Sequence, residues 1–197
     1  AKGFRQEYGV DFDEIFSLVV KMTTLRFMLG VVVADNLELI QLDVKTAFLH
    51  GDLQEEIYME QPKGFVATGQ EHLVCRLRKS LYGLKQAPRQ WYKKFDDFIQ
   101  SVGFSKSDED HCLFTKTAQD GSPVFLIIYV DDMLLSGRHT GELTELVRKL
   151  RLKFAMKDLG PARHILGMKI SRHRAKRQLF LSQTDYIGRV LERFNMQ

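Results

Sequence analysis

Val-Phe-Leu-Ile-Ile-Tyr-Val-Asp-Asp-Met-Leu-Leu-Ser-Gly, from Val124 to Gly137, is the stretch whose reading decides the fold. Seven apolar or aromatic residues in a row suit a buried strand, and the apolar run that resumes at Met133 suits a second one. The pair reads as a β-hairpin whose turn consists of Asp131 and Asp132. Neighbouring side chains on a strand leave on opposite faces, so the two carboxylates meet on one face only if the turn distorts the backbone.

Working outward, Ser17 to Ala34 places Leu18, Lys21, Met22, Leu25, Met28, Leu29 and Val32 on one mostly apolar helical stripe, closed near Asn36. Leu37 to Asp43 then shortens to a strand-length run that ends on an acid. Between Gly51 and Arg78, turn signals alternate with the short strand-like pieces Glu-Ile-Tyr-Met-Glu and His-Leu-Val-Cys-Arg-Leu, an inserted meander. Trp91, Tyr92, Phe95, Phe98, Ile99 and Val102 recur at helical spacing before Gly103, which supplies a cap. Downstream of the hairpin, Leu143, Leu146, Val147, Leu150 and Phe154 predict a second long helix. His-Ile-Leu-Gly-Met-Lys-Ile and Gln-Leu-Phe-Leu-Ser then flank a basic turn, and Ser182 with Asp185 opens a last helix. Strand, helix, two strands around a tight turn, helix and strand is the split βαβ order of a ferredoxin-like sheet covered by helices on one face, an α+β fold.

The 197 residues suffice for one good core with a small second lobe. Apolar residues at 44% and charged residues at 27% exclude a disordered or collagen-like chain. The longest apolar run falls far short of the roughly 20 residues of a membrane-spanning helix, so no membrane partner is expected. A start without Met suggests an excised fragment. Cys75 and Cys112 lack metal-type spacing and read as buried free thiols of a reducing compartment. Net charge is +4, and the segment from Lys169 to Arg177 holds five Lys or Arg and no acid. From that segment alone, phosphate contacts and a merely solvated basic turn are both open.

The acids carry the chemistry. Like charges about 4 Å apart repel by roughly 4 kcal/mol at an effective dielectric near 20, so Asp131 and Asp132 beside the strand acid Asp43 would be costly without a cation. Oxygen-only ligands with no His or Cys among them favour Mg²⁺ or Mn²⁺ over Zn²⁺. An exposed Asp–Asp turn in an ordinary hairpin is the other reading that spacing allows.

Further segments carry a resemblance. They are Ala-Lys-Gly-Phe-Arg-Gln (residues 1–6), Val-Lys-Met-Thr-Thr-Leu-Arg (20–26), Gln-Leu-Asp-Val-Lys-Thr-Ala-Phe-Leu-His-Gly-Asp-Leu (41–53), Tyr-Met-Glu-Gln-Pro-Lys-Gly-Phe (58–65), Leu-Tyr-Gly-Leu-Lys-Gln-Ala-Pro-Arg-Gln-Trp-Tyr (81–92) and Tyr-Val-Asp-Asp (129–132). Across almost its whole length the chain resembles the reverse transcriptase of Ty1/copia-type LTR retrotransposon Pol polyproteins. The resemblance implies a right-hand polymerase with fingers, a ferredoxin-like palm and a truncated thumb. Residues 1–36 and 51–90 would be fingers-like, 37–50 and 91–165 palm, and 165–197 primer grip and start of the thumb. It implies RNA-directed DNA synthesis, with nucleotidyl transfer from a dNTP to a primer 3′-hydroxyl on an RNA or DNA template.

The resemblance also assigns roles. Asp43, Asp131 and Asp132 would be catalytic and, with the carbonyl of Val44, would hold two Mg²⁺ ions, with Mn²⁺ as a substitute. Lys45, Thr46, Ala47, Phe48, Tyr82 and Gly83 would border the dNTP, with the Phe48 ring under the sugar to exclude a ribose 2′-hydroxyl. Gln86, Arg89 and Tyr129 are implied template or primer contacts, as are Leu166, Gly167, Met168 and Lys169 of a primer-grip hairpin. Retroviral relatives have Gln where Tyr82 stands. Basic fingers residues would precede Ala1, and the thumb remainder and an RNase H region would follow Gln197, with an integrase region also adjoining. The implied setting is intracellular, a cytoplasmic virus-like particle, with the nucleus as a second one. Weighed against it are an RRM-type single-strand binder, which the acidic Tyr-Val-Asp-Asp disfavours, a cyclase-like palm enzyme, and an inactive nucleic-acid-binding remnant of such an element.

Overall fold

The computed structural model describes residues 1–196, so Gln197 of the expected thumb segment lies outside the described residues. In chain order come α1 (Met22–Ala34), β1 (Glu38–Val44), β2 (Tyr58–Glu60), β3 (Val74–Arg76), α2 (Ala87–Ser101), β4 (Ser105–Lys106), β5 (Leu113–Thr117) and β6 (Pro123–Tyr129). After these come β7 (Asp132–Gly137), α3 (Thr140–Lys153), β8 (Met156–Pro161), β9 (His164–Ile165), β10 (Met168–His173), β11 (Gln178–Ser182) and α4 (Thr184–Arg193). It is a mixed α/β fold on antiparallel sheets. The chain divides into two compact units, one of Ala1–Leu18 with Thr46–Val102, the other of Val19–Lys45 with Gly103 onward. These divisions fall at 18, 45 and 102, whereas the expected segments divide near 36, 50, 90 and 165.

The second unit is built on a six-stranded sheet in the order β4-β5-β6-β7-β1-β8. Leu126, Ile127 and Ile128 on β6 and Met133, Leu134 and Leu135 on β7 are buried in succession. Successive burial withdraws both faces of these central strands from water, and it explains their unbroken apolar sequence. Leu25, Met28, Leu29 and Val32 of α1 and Leu143, Leu146, Val147 and Leu150 of α3 are the buried stripes that the helical spacing predicts. The first helix starts at Met22, not Ser17, where the N–H of Lys21 donates to the buried Asp110 carboxylate at 2.8 Å. Asn36 closes it in the left-handed conformation, φ 51°.

A smaller sheet of the same unit runs β11-β10-β9. Leu166 and Gly167 form its tight turn with φ 52° and 72°, the double positive φ of a two-residue hairpin. Two of the five cations read as a phosphate patch are used within the unit. Arg172 donates to the carbonyls of Leu37 at 2.6 Å and Val32 at 3.1 Å, closing the C-terminal end of α1, and Arg174 pairs with Glu38 at 2.5 Å. Lys169, Lys176 and Arg177 remain exposed.

In the first unit, α2 begins at Ala87, four residues before the expected start, because Pro88 occupies its first turn, where a missing N–H costs nothing. Trp91, Phe95 and Ile99 form its buried face. A second cluster gathers Ile57, Leu84 and Ala87, with Phe48, Leu53, Leu77 and Leu81 packed against it. Of the two free thiols only Cys112 is fully buried, and burial with the Asp110 charge pushes it up to about 12. Cys75, expected to be buried too, is half-exposed because it sits on β3 of the short two-stranded β2–β3 ribbon.

Candidate active site

Strands β1 and β7 run antiparallel in the register Glu38 opposite Gly137 through Asp43 opposite Asp132. Directly opposed residues share a face with Cβ atoms about 4.5–5.5 Å apart, so two acids that the sequence separates by most of the chain are brought side by side. The sequence pattern places both Asp131 and Asp132 in the turn. Instead the turn is Val130 and Asp131, while Asp132 is already in β7, paired with Tyr129 on one side and Asp43 on the other. Val130 takes φ 56°, a left-handed conformation that a β-branched residue adopts only under strain. The amide of Val44 donates to the Asp131 carbonyl at 2.9 Å, which fixes the turn against the end of β1. Lys45 continues this edge, its N–H donating to the Ala155 carbonyl at 2.8 Å.

Asp43 and Asp132 are half-buried and Asp131 is exposed. Burial foremost, then the charges of Asp131 and Asp43, raises the Asp132 pKa above its ordinary value, while a hydrogen bond from Gln41 opposes the rise. An acid whose folded pKa is raised destabilises the fold at neutral pH, and the penalty is relieved as pH falls through that raised pKa. Asp132→Asn should therefore raise Tm in chelator-treated protein at pH 7, and the gap to wild type should narrow as pH falls through the raised Asp132 pKa. The group is half-exposed and screened, so about 0.5–1 kcal/mol, or about 1–4 °C, is expected. Differential scanning calorimetry across pH 4–8 checks this, and a lower Tm for the variant at pH 7 contradicts it.

The donor chemistry suits a hard divalent cation, being oxygen-only and mutually repelling. Yet among the described residues no group of three or more His, Cys, Asp or Glu is gathered closely enough to hold a metal ion. The backbone brings Asp43 and Asp132 together, with Asp131 next in the chain, but the three carboxylates do not close on one point.

The remaining expected positions of the second unit lie at Tyr129, half-buried at the end of β6, and in the β9–β10 hairpin. There Leu166 and Gly167 are the turn, Met168 is buried and Lys169 is exposed. The first unit carries the others. Thr46 is exposed with φ 51°, Ala47 is fully buried, and the half-buried Phe48 ring stacks on Tyr82 with centroids 4.7 Å apart. Gly83 has φ 92°, and a Cβ there would collide with the Ala1 carbonyl, so the close approach this glycine permits is to backbone of the N-terminal segment. Gln86, expected at the template, is fully buried, accepting from Gln6 at 3.0 Å and donating to the Asp11 carbonyl at 2.9 Å. Arg89 forms an ion pair with Glu14. A template contact through the Gln86 side chain would need it to leave this buried position.

One participant had no assigned role. Gln41 lies two residues before Asp43, on the same face of β1, and is 8% exposed. Its only signal in sequence is an uncharged polar residue on a mainly apolar strand, two positions before an acid.

With the strand acids, the strained turn and the flanking hairpin in place, the class follows. A family model described as reverse transcriptase (RNA-dependent DNA polymerase) matches residues 1–197, and the chain belongs to that family. It is 58% identical over 196 residues to the retrovirus-related Pol polyprotein from transposon TNT 1-94 of Nicotiana tabacum, covering 100% of this chain and 15% of that protein. It is 41% identical to the corresponding polyprotein from transposon RE1 of Arabidopsis thaliana, over 100% of this chain and 13% of that protein. The Transposon Ty1-DR4 Gag-Pol polyprotein of Saccharomyces cerevisiae is 31% identical over 79% of this chain and 9% of its own length. The chain thus spans less than a sixth of these polyproteins and is a reverse transcriptase domain of the copia-type Pol kind.

Proposed function

We propose that this chain supplies the catalytic centre of an RNA-directed DNA polymerase, which transfers a nucleotidyl group from a dNTP to a primer 3′-hydroxyl and releases pyrophosphate. The observation that carries the reading is the opposed pair Asp43 and Asp132, with Asp131 held next to them by a strained turn. The order of β6, β7, β1 and β8 within the large sheet fits a ferredoxin-like split βαβ palm, with α3 as one crossover. In this reading the second unit is the palm, and its β9–β10 hairpin, Leu166 to Lys169, holds the primer end beside Tyr129.

Mg²⁺, or Mn²⁺ in its place, would be held by Asp43, Asp131, Asp132 and the Val44 carbonyl. Bound there, the ions would supply charge neutralisation for the attacking and leaving oxygens. The chain's own part is positional. The β1–β7 register holds Asp43 and Asp132 at one depth, and the Val44 to Asp131 backbone hydrogen bond fixes the main chain at the third acid. Thr46, Ala47, Phe48, Tyr82 and Gly83, together with Lys45, are proposed to border the dNTP. The stack on Tyr82 and the packing on Ile57, Leu84 and Ala87 support Phe48 as a rigid wall for the sugar. The template and primer, adjoining integrase and RNase H regions, and a virus-like particle as the setting, with the nucleus a second one, complete the proposal. No helix among the described residues is long and apolar enough to cross a membrane.

Primer extension by the full-length protein containing this chain, on an RNA template with Mg²⁺ or Mn²⁺, tests the reading. Template-directed addition of dNTPs supports it. A folded protein that binds primer-template and never extends it is instead a nucleic-acid-binding remnant.

A further inference from the structure

Gln41 is a buried polar residue facing three partners. Its Oε1 accepts the backbone N–H groups of Arg163 and His164, each at 3.3 Å. Its amide nitrogen then remains for the side of Asp132, whose raised pKa the Gln41 side chain opposes. The strand geometry explains how one carboxamide reaches both. On β7, Leu134 is opposite Gln41 and Asp132 is opposite Asp43, so Asp132 is the diagonal neighbour of Gln41 on the same face. On the other side the register slips: Ile40 is opposite Pro161 but Leu42 is opposite Asp158. That bulge, with Gly160 at φ 70°, places an extra residue of β8 opposite Gln41 and redirects the chain. Arg163 and His164, whose side chains are exposed, thereby bring their amides to a buried acceptor. They are also the base of the hairpin: His164 is opposite Lys169, and the Ile170 amide donates to the Arg163 carbonyl at 2.7 Å.

We infer that Gln41 is a positioning residue that fixes the β9–β10 hairpin relative to the Asp132 carboxylate, so that the primer-holding turn and the catalytic acids keep one register. This rests on the polymerase reading proposed above. Without the Gln41 carboxamide, the N–H groups of Arg163 and His164 would lose the buried acceptor they share.

Two substitutions separate the two halves of the role. Gln41→Met matches the side chain in size and flexibility but offers neither acceptor nor donor of useful strength. Gln41→Glu keeps an acceptor for both amides and loses the donor toward Asp132. Amide hydrogen exchange of Arg163 and His164 is measured in the protein alone, and single-nucleotide extension in the full-length protein. For Gln41→Met the two amides should exchange at least about tenfold faster, as for opened local structure, kcat should fall about 10- to 100-fold, and KM for primer-template should rise. For Gln41→Glu exchange should match wild type and KM for primer-template should hold within about twofold, while kcat falls about 10- to 100-fold. Wild-type exchange at both amides in Gln41→Met, or wild-type kcat in Gln41→Glu, overturns the inference. A wild type that fails to extend primers refutes the polymerase reading itself, and the exchange comparison then decides the hairpin tie on its own.

Discussion

Asp43→Asn, and separately Asp131→Asn, should lower primer extension by the full-length protein on the order of 10³-fold or more while leaving the fold intact. Asn preserves shape and removes one negative charge from a cluster whose members already repel, so the apoprotein does not suffer. On the proposed reading what disappears is cation binding, and stabilisation of the transferring group by bound metal would be worth several kcal/mol, which converts to that factor. The two positions test different parts of the geometry. Asp43 is fixed by strand pairing to Asp132, whereas Asp131 is fixed by the Val130 turn and the Val44 amide. Equal losses mean that the turn is as well organised as the strand. Single-turnover extension with matched thermal melts is the measurement, and a folded variant within tenfold of wild type removes that acid from the centre.

The second large effect concerns sugar choice. Phe48→Val should reduce discrimination against ribonucleotides, taken as the ratio of kcat/KM for dNTP to that for rNTP, by about 10²-fold. A pocket rejects an added hydroxyl strongly only where a rigid group occupies its place, and an apolar pocket without such a wall manages only about 10²-fold at best. Phe48 has the supports a wall needs: the Tyr82 ring at 4.7 Å, and Ile57, Leu84 and Ala87 behind it. Truncation also opens a small void, so the assay is run well below the variant's Tm. An unchanged ratio with a lowered Tm would reduce Phe48 to a packing residue.

The hairpin and the two long buried stripes were legible because burial writes itself into unbroken apolar runs and helical spacing, whereas the juxtaposition of Asp43 with the downstream acids came only from the family resemblance. The errors have local causes. The turn was read one residue late because acids signal turns and valine does not, yet Val130 takes the positive φ. The start of α2 was missed because Pro88 reads as a breaker, although the first helical turn tolerates it. The basic segment looked uniform, but Arg172 and Arg174 are tied to Val32, Leu37 and Glu38. The bonds made by Gln86, Arg89 and Gln41 were not legible for a deeper reason. Their partners lie far off in the chain, at Gln6 and Asp11, at Glu14, and at Arg163 and His164. No window of sequence reports such a bond.

The division of the chain has a consequence for its birth. Each unit is assembled from two separated stretches, and the stretches alternate. As the protein leaves the ribosome, Ala1–Leu18 must wait for Thr46–Val102, and β1, complete at Val44, has no neighbour until β7 emerges at Asp132 and β8 at Met156. Long-range antiparallel pairing of this kind is slow, and the waiting strand is an unpaired edge rich in Leu and Ile. Asp43 at its tip is thus a solubilising charge in the nascent chain before it is anything else, and a recombination that exchanges any single continuous segment cuts through at least one half-built unit.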